Sequence, residues 1–141
     1  MFVLDSRLQQ DTFVLGDLPL SRVLLSNDTR YPWFILVPRR EDVSEVFQLS
    51  AEDQQALWAE TALLGEVLKD AFKADKINIA TLGNVVSQLH MHVIVRYRTD
   101  DAWPAPVWGR HPAKSYDEAQ VAVLRDKLRS VMPRQYRAGE V

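Results

Sequence analysis

The sequence predicts an α+β domain: an antiparallel sheet, one long helix packed on it, and a C-terminal helical extension. Three observations carry this reading. Short apolar runs rich in Val, Ile, Leu and aromatics recur through residues 12–37, each closed by Gly, Pro, Asn or Asp, which is the punctuation of strands. A long stretch, residues 50–72, repeats its apolar residues at helical period. Two more strand-like runs follow it, and the second holds two histidines one residue apart.

The elements follow in order. Thr12 to Leu15 is a first strand, ended by the turn signal Gly16-Asp17. Val23 to Leu25 is a second, closed by Ser26-Asn27-Asp28, and Trp33 to Val37 is a third, between Pro32 and Pro38. Their spacing suits an antiparallel meander. Ser50 then caps the long helix, with Asp53 at the capping-box position, and the predicted core stripe is Leu57, Trp58, Ala62, Leu63, Val67, Leu68 and Phe72. Lys76 to Ala80 alternates as a strand, Leu82-Gly83-Asn84 is a turn, and the histidine strand runs from about Leu89 to Val95. The segment Trp103-Pro104-Ala105-Pro106-Val107-Trp108 excludes a regular helix and reads as a loop that lids a pocket or packs on a partner. A last helix is expected after Ser115, through a Ser115-x-x-Glu118 capping box, with Val121, Val123, Leu124, Leu128 and Val131.

Composition bounds the function. The 141 residues suit one domain over 1–141, and 47% hydrophobic content is enough for a core. With 17 basic and 19 acidic residues and a net charge of -2, no bulk nucleic-acid or membrane surface is expected. The chain has no cysteine, which removes thiol catalysis, disulfides and Cys-based zinc sites. No leader-like N-terminus and no apolar stretch near the roughly 20 residues of a membrane span are present, so a cytoplasmic protein is expected.

The chemistry concentrates in Gln88-Leu89-His90-Met91-His92-Val93-Ile94-Val95. A strand alternates faces, so Gln88, His90 and His92 share one side while Leu89, Met91 and Val93 turn to the core. Three readings are open. The histidines can be ordinary hydrogen-bonded strand residues. They can be two ligands of a metal, but the third ligand is then missing: the only other histidine is His111, in a loop, and no HExxH motif exists. Or one imidazole can attack phosphorus and hold a nucleotidyl group as a phosphoramidate while its neighbour donates to the phosphate or leaving group. That last chemistry needs no metal and no cofactor.

The segment Gln88-Leu-His-Met-His-Val-Ile94 resembles the motif of the histidine triad (HIT) family, H-φ-H-φ-H-φ-φ with φ apolar. Gly83-Asn84-Val85-Val86-Ser87 resembles the segment that precedes the family's first histidine, and Phe34-Ile-Leu-Val-Pro38-Arg39-Arg40 resembles the strand before its main helix. The resemblance covers residues 10–98, leaving 99–141 as a C-terminal extension. It implies a sheet of about five strands and a homodimer. It also implies a nucleotide hydrolase or nucleotidyl transferase acting at the α-phosphate of a dinucleoside polyphosphate or nucleoside phosphoramidate. Under it His90 is the nucleophile, His92 assists at the phosphate, and Gln88 supports them where the family has its first histidine. Asn84 would contact phosphate, Asn27 or Asp28 ribose, and Asn78 would match a family asparagine; Arg39 and Arg40 are phosphate ligands or solvated surface charges. Because Gln88 cannot carry charge, a nucleotide-binding module with little turnover is the alternative.

Overall fold

Alternating inward and outward residues in the N-terminal third build a meander whose register can be followed strand by strand. A computed structural model describes residues 1–139. β1 (Thr12–Asp17), β2 (Ser21–Ser26) and β3 (Trp33–Pro38) pair antiparallel in sequence order, with Val14 opposite Leu24 and Leu24 opposite Ile35. The chain then crosses through α2 (Ala51–Ala71) and returns as the hairpin β4 (Lys76–Thr81) and β5 (Met91–Arg96). β5 inserts against β3, placing His92 opposite Ile35, and β4 is left at the edge. A sixth strand, β6 (Arg137–Ala138), pairs with β1, so the order is β4-β5-β3-β2-β1-β6. The expected five strands are all present, and the sixth comes from the C-terminal extension. It can pair there because β1 offers a glycine: a Cβ on Gly16 would strike the Arg137 carbonyl and the Tyr136 hydroxyl.

Helix α2 starts as expected, with Ser50 Oγ accepting from the Asp53 amide at 3.0 Å. Its buried face differs from the predicted stripe. Leu57, Glu60, Thr61, Leu64, Gly65 and Leu68 face the sheet, whereas Trp58 is 60% exposed and Ala62 is exposed. A buried glutamate misled the apolar pattern. Glu60 receives the amides of Leu20 and Ser21 at 2.8 and 3.0 Å, which satisfies its carboxylate and ties the β1–β2 turn to the helix. Leu57, Leu64 and Leu68 are essentially fully buried, each contributing about 1.5–3 kcal/mol of burial free energy.

The C-terminal helix α3 (Glu118–Val131) is present, but its cap is Asp117 with Gln120 in a reciprocal capping box, not Ser115 with Glu118. Val121 and Leu128 are buried, Leu124 is partly buried, and Val123 and Val131 are exposed. The N-terminal helix α1 (Ser6–Asp11) was not anticipated; it is a single short turn capped by Asp5. No helix among the described residues is long and apolar enough to cross a membrane.

The sheet is covered on both faces. Helix α2 packs on the face carrying Phe34, Leu36, Met91, Val93 and Val95. The other face carries Leu24, Ile35 and Val37, covered by Leu4 and Leu8 of the N-terminal arm, and Ile94, covered by Ala102 and Val107 of the loop after β5. Every residue of β5 is therefore buried. The two histidines lie on the second face, between the N-terminal arm and that loop.

Candidate active site

The nucleophile candidate is held from four directions. His90 precedes β5, and its Nδ1 lies 2.7 Å from the carbonyl oxygen of Gln88. A carbonyl only accepts, so Nδ1 carries the proton and Nε2 keeps its lone pair. The His90 carbonyl accepts from the Thr81 hydroxyl at 2.8 Å, which fastens it to the end of β4. The Leu89 amide donates to the Val43 carbonyl at 2.9 Å. Two residues before His90, the Gln88 carboxamide clamps the N-terminal arm, accepting from the Asp5 amide at 2.8 Å and donating to the Val3 carbonyl at 2.9 Å.

His92 follows inside β5, its ring centroid 4.8 Å from that of His90 in a T-shaped arrangement. Its Nδ1 accepts from the indole Nε1 of Trp33 at 2.9 Å. Trp33 sits diagonally across the strand pair, on the face shared by His92 and Ile35. The Trp108 ring stands edge-on to both, 5.0 Å from His92 and 5.4 Å from Trp33. Burial, and then the charge His90 can carry, push the pKa of His92 down to about 3.

A cavity of about 360 Å³ opens over the two imidazoles. Leu82, Val85, Val86 and Trp108 form its apolar walls, and Gly83 and Asn84 lie between them in the turn before the histidines. A second cavity of about 450 Å³ lies beside it and shares the Trp108 wall; Trp33, Asn27, Asp28, Ser26, Asp11 and His111 are among its lining residues. The loop that carries Trp108 is anchored by Arg96 at the end of β5. Only 1% exposed, Arg96 binds Asp100 through two bonds of 2.8 and 3.1 Å, the Ala105 carbonyl at 2.8 Å and Asn78 Oδ1 at 2.7 Å.

The residues expected in the site divide accordingly. His90, His92 and Asn84 come together in the first cavity. Met91 and Val93 face the core as the strand period requires, and Leu89, just before the strand, is buried with them. Gln88 does not share the cleft: its side chain is taken up by the N-terminal arm, and only its carbonyl supports His90. Strand alternation failed there because residues 88–90 lie outside β5. Asn27 and Asp28 line the second cavity, where each also holds the C-terminal segment: Asn27 accepts from the Tyr116 amide at 2.8 Å, and Asp28 accepts from the backbone amides of Arg30 and Lys114 at 3.0 and 3.2 Å. Asn78 is bound to Arg96 and lines neither cavity. Arg39 and Arg40 pair with Asp17 and Asp53 at 3.2 and 2.7 Å. His111 belongs to the second cavity, with Nε2 3.0 Å from the Asp101 carbonyl. Among the described residues, no group of three His, Cys, Asp or Glu side chains is placed to hold a metal ion.

Sequence reasoning missed Trp33 and Thr81. Trp33 read as one more apolar strand residue, and its indole N–H acquires meaning only once β3 and β5 are known to be neighbours. Trp108, in the loop the sequence marks as a lid or contact surface, forms a wall of both cavities.

Comparisons with known proteins place the chain among its relatives. The family model described as "HIT domain" matches residues 7–99. A histidine triad protein from Marinobacter aquaeolei VT8 is 48% identical, with 93% of this chain and 96% of that chain covered and a TM-score of 0.91. A histidine triad protein from Bradyrhizobium japonicum is 45% identical, over 92% of this chain and 97% of that chain, with a TM-score of 0.90. One from Sinorhizobium meliloti 1021 is 45% identical, over 94% and 98%, with a TM-score of 0.91. A search of curated proteins returns no match. With a family model spanning most of the chain and relatives aligned almost end to end, the chain belongs to the histidine triad family.

Proposed function

We propose that the protein is a nucleotide phosphohydrolase or nucleotidyl transferase that works at the α-phosphate of a nucleotide conjugate through a nucleotidyl-histidine. One observation carries the reading: the backbone carbonyl of Gln88 binds Nδ1 of His90, leaving Nε2 unprotonated beside the cavity. In the first step the His90 Nε2–P bond forms and the bond from phosphorus to the leaving group breaks. The leaving group takes the electron pair and gains a proton from water. The charge that develops on the His90 ring is stabilised by the Gln88 carbonyl at Nδ1. Water then attacks phosphorus, the P–N bond breaks, and His90 returns to its neutral form. His92 donates to a phosphate oxygen, and Asn84 offers a carboxamide at the cavity edge. The second cavity supplies Asn27 and Asp28 toward ribose.

Among the described residues, no Lys or Arg lines the first cavity, which favours a leaving group of low charge, as in a phosphoramidate, over a polyphosphate chain. The alternative of a binding module with little turnover is favoured by no contact at His90. The proposal extends to a cytoplasmic homodimer built across the open edge of β4 and the exposed side of α2, where Ile79 and Trp58 are 40% and 60% exposed. Release of nucleoside monophosphate from a panel of nucleoside phosphoramidates and dinucleoside polyphosphates, with a His90→Ala control, tests the activity. Turnover by the wild type and its loss in the variant is expected. Equal rates in both would overturn the assignment.

A further inference from the structure

Two imidazoles 4.8 Å apart are held in opposite tautomers. His90 donates from Nδ1 to a carbonyl. His92 accepts at Nδ1 from the indole of Trp33 at 2.9 Å. An indole N–H can only donate, so the neutral His92 ring has its proton on Nε2. We propose that Trp33 is a positioning residue for the chemistry of the cavity: its indole locks His92 as the Nε2–H tautomer, making it a fixed neutral hydrogen-bond donor and not a proton carrier. The proposal deepens the reading of His90 as nucleophile and rests on it for its kinetic consequence; the tautomer is observable without turnover.

The argument is one of donors and acceptors. Protonating His92 would set an Nδ1–H against the Nε1–H of Trp33, two donors with no acceptor between them. The ring has little chance to turn away, being 6% exposed and bounded by Trp33, Trp108 and His90. Its cross-strand neighbours, Ile35 on β3 and Ala80 on β4, carry no charge. The titratable groups that face it are His90, just before β5, and, beyond the two indoles, Asp11, Asp28 and His111 around the second cavity. Burial and the nearby His90 act in the same direction, lowering the His92 pKa to about 3. Nor can Nε2 give up its proton, because that would leave an imidazolate. His92 therefore presents one N–H at constant charge, and the departing group draws its proton from water.

The test is long-range 1H–15N correlation spectroscopy of the full chain labelled at histidine, together with pH–rate profiles. The wild type is expected to show a bare Nδ1 and a protonated Nε2 on His92, unchanged from about pH 8 to about pH 5, where a free imidazole would titrate. Trp33→Phe removes the donor; His92 should then show mixed tautomers and titrate nearer the ordinary range. In that variant kcat should fall about tenfold with KM within about threefold, and a new acidic limb should enter the kcat profile. Benzothienylalanine at position 33 keeps the indole shape without the N–H and should behave likewise, which separates the hydrogen bond from packing. A wild-type His92 protonated at Nδ1 overturns the proposal. So do variant spectra identical to wild type, or a kcat and pH profile that neither substitution alters. If the wild type proves inactive on every conjugate, the nucleophile reading fails while the nitrogen shifts still decide the tautomer.

Discussion

Replacing Gln88 tests the clamp between the histidine segment and the N-terminal arm. The Gln88 carboxamide makes two hydrogen bonds to the N-terminal arm, one to the Asp5 amide and one to the Val3 carbonyl. Each is worth about 0.5–1.5 kcal/mol net, with the more exposed bond to Val3 at the lower end. Gln88→Ala should therefore cost about 1–2 kcal/mol, lowering Tm by about 3–8 °C in a domain of this size. Gln88→His should cost as much. A neutral imidazole has one donor and one acceptor, but they sit on separate ring nitrogens and cannot meet neighbouring backbone groups as a carboxamide does. Gln88→His should accordingly not raise turnover, because the clamp sits two residues before His90 and orders the carbonyl that holds it. Thermal unfolding followed by circular dichroism, with hydrogen exchange at the Asp5 amide, measures the effect. Unchanged Tm and unchanged Asp5 protection in Gln88→Ala, or a Gln88→His variant that is both more stable and faster, would refute the clamp.

Two further predictions follow from buried groups. The folded pKa of His92 is about 3 against an ordinary 6.5, so the unfolded chain binds more protons between those values. The stability this group contributes is full above its unfolded pKa and is lost as pH falls through the window, with a slope of up to about 1.4 kcal/mol per pH unit. Chemical denaturation in acid should show that extra slope in the wild type and not in His92→Asn, and identical slopes would contradict it. Arg96→Met leaves Asp100 buried without its partner, which should cost about 3–5 kcal/mol and release the loop bearing Trp108. A Tm within 2 °C or so of wild type would count against the anchor. As for assembly, light scattering should return the mass of two chains, and a stable monomer would remove the proposed interface.

Local patterns made most of the fold legible. Strand runs fenced by Pro, Gly and Asn gave β1 to β4 within a few residues, and Ser50 marked the start of α2. What escaped depends on contacts distant in sequence. Glu60 looks like a solvent-facing residue until Leu20 and Ser21 arrive from the β1–β2 turn. Asp117 and Gln120 form a cap as good as the one expected from Ser115, and nothing local chooses between them. β6 is only two residues long, too short for any periodicity. In the site, the i, i+2 spacing of His90 and His92 makes their proximity legible even though His90 lies just before β5, whereas the role of Trp33 is not legible. Its role needs the neighbouring of β3 and β5, which the intervening α2 and β4 conceal in the linear sequence. Gln88 shows the opposite error: alternation was carried past the start of β5 into a segment with its own partners.

In the proposed chemistry, His90 Nε2 becomes covalently attached to phosphorus. The most direct test is to mix the protein with a nucleotide conjugate labelled at the α-phosphate, quench in alkali during turnover, and map the label by mass spectrometry. A phosphoramidate survives alkali and is lost in acid, so the account predicts label on the peptide containing His90 after an alkaline quench and none after an acid one. His90→Ala should take no label, fail to turn over, and bind nucleotide nearly as well as wild type. Wild-type turnover in His90→Ala, or label that resists acid and maps elsewhere, would contradict the account.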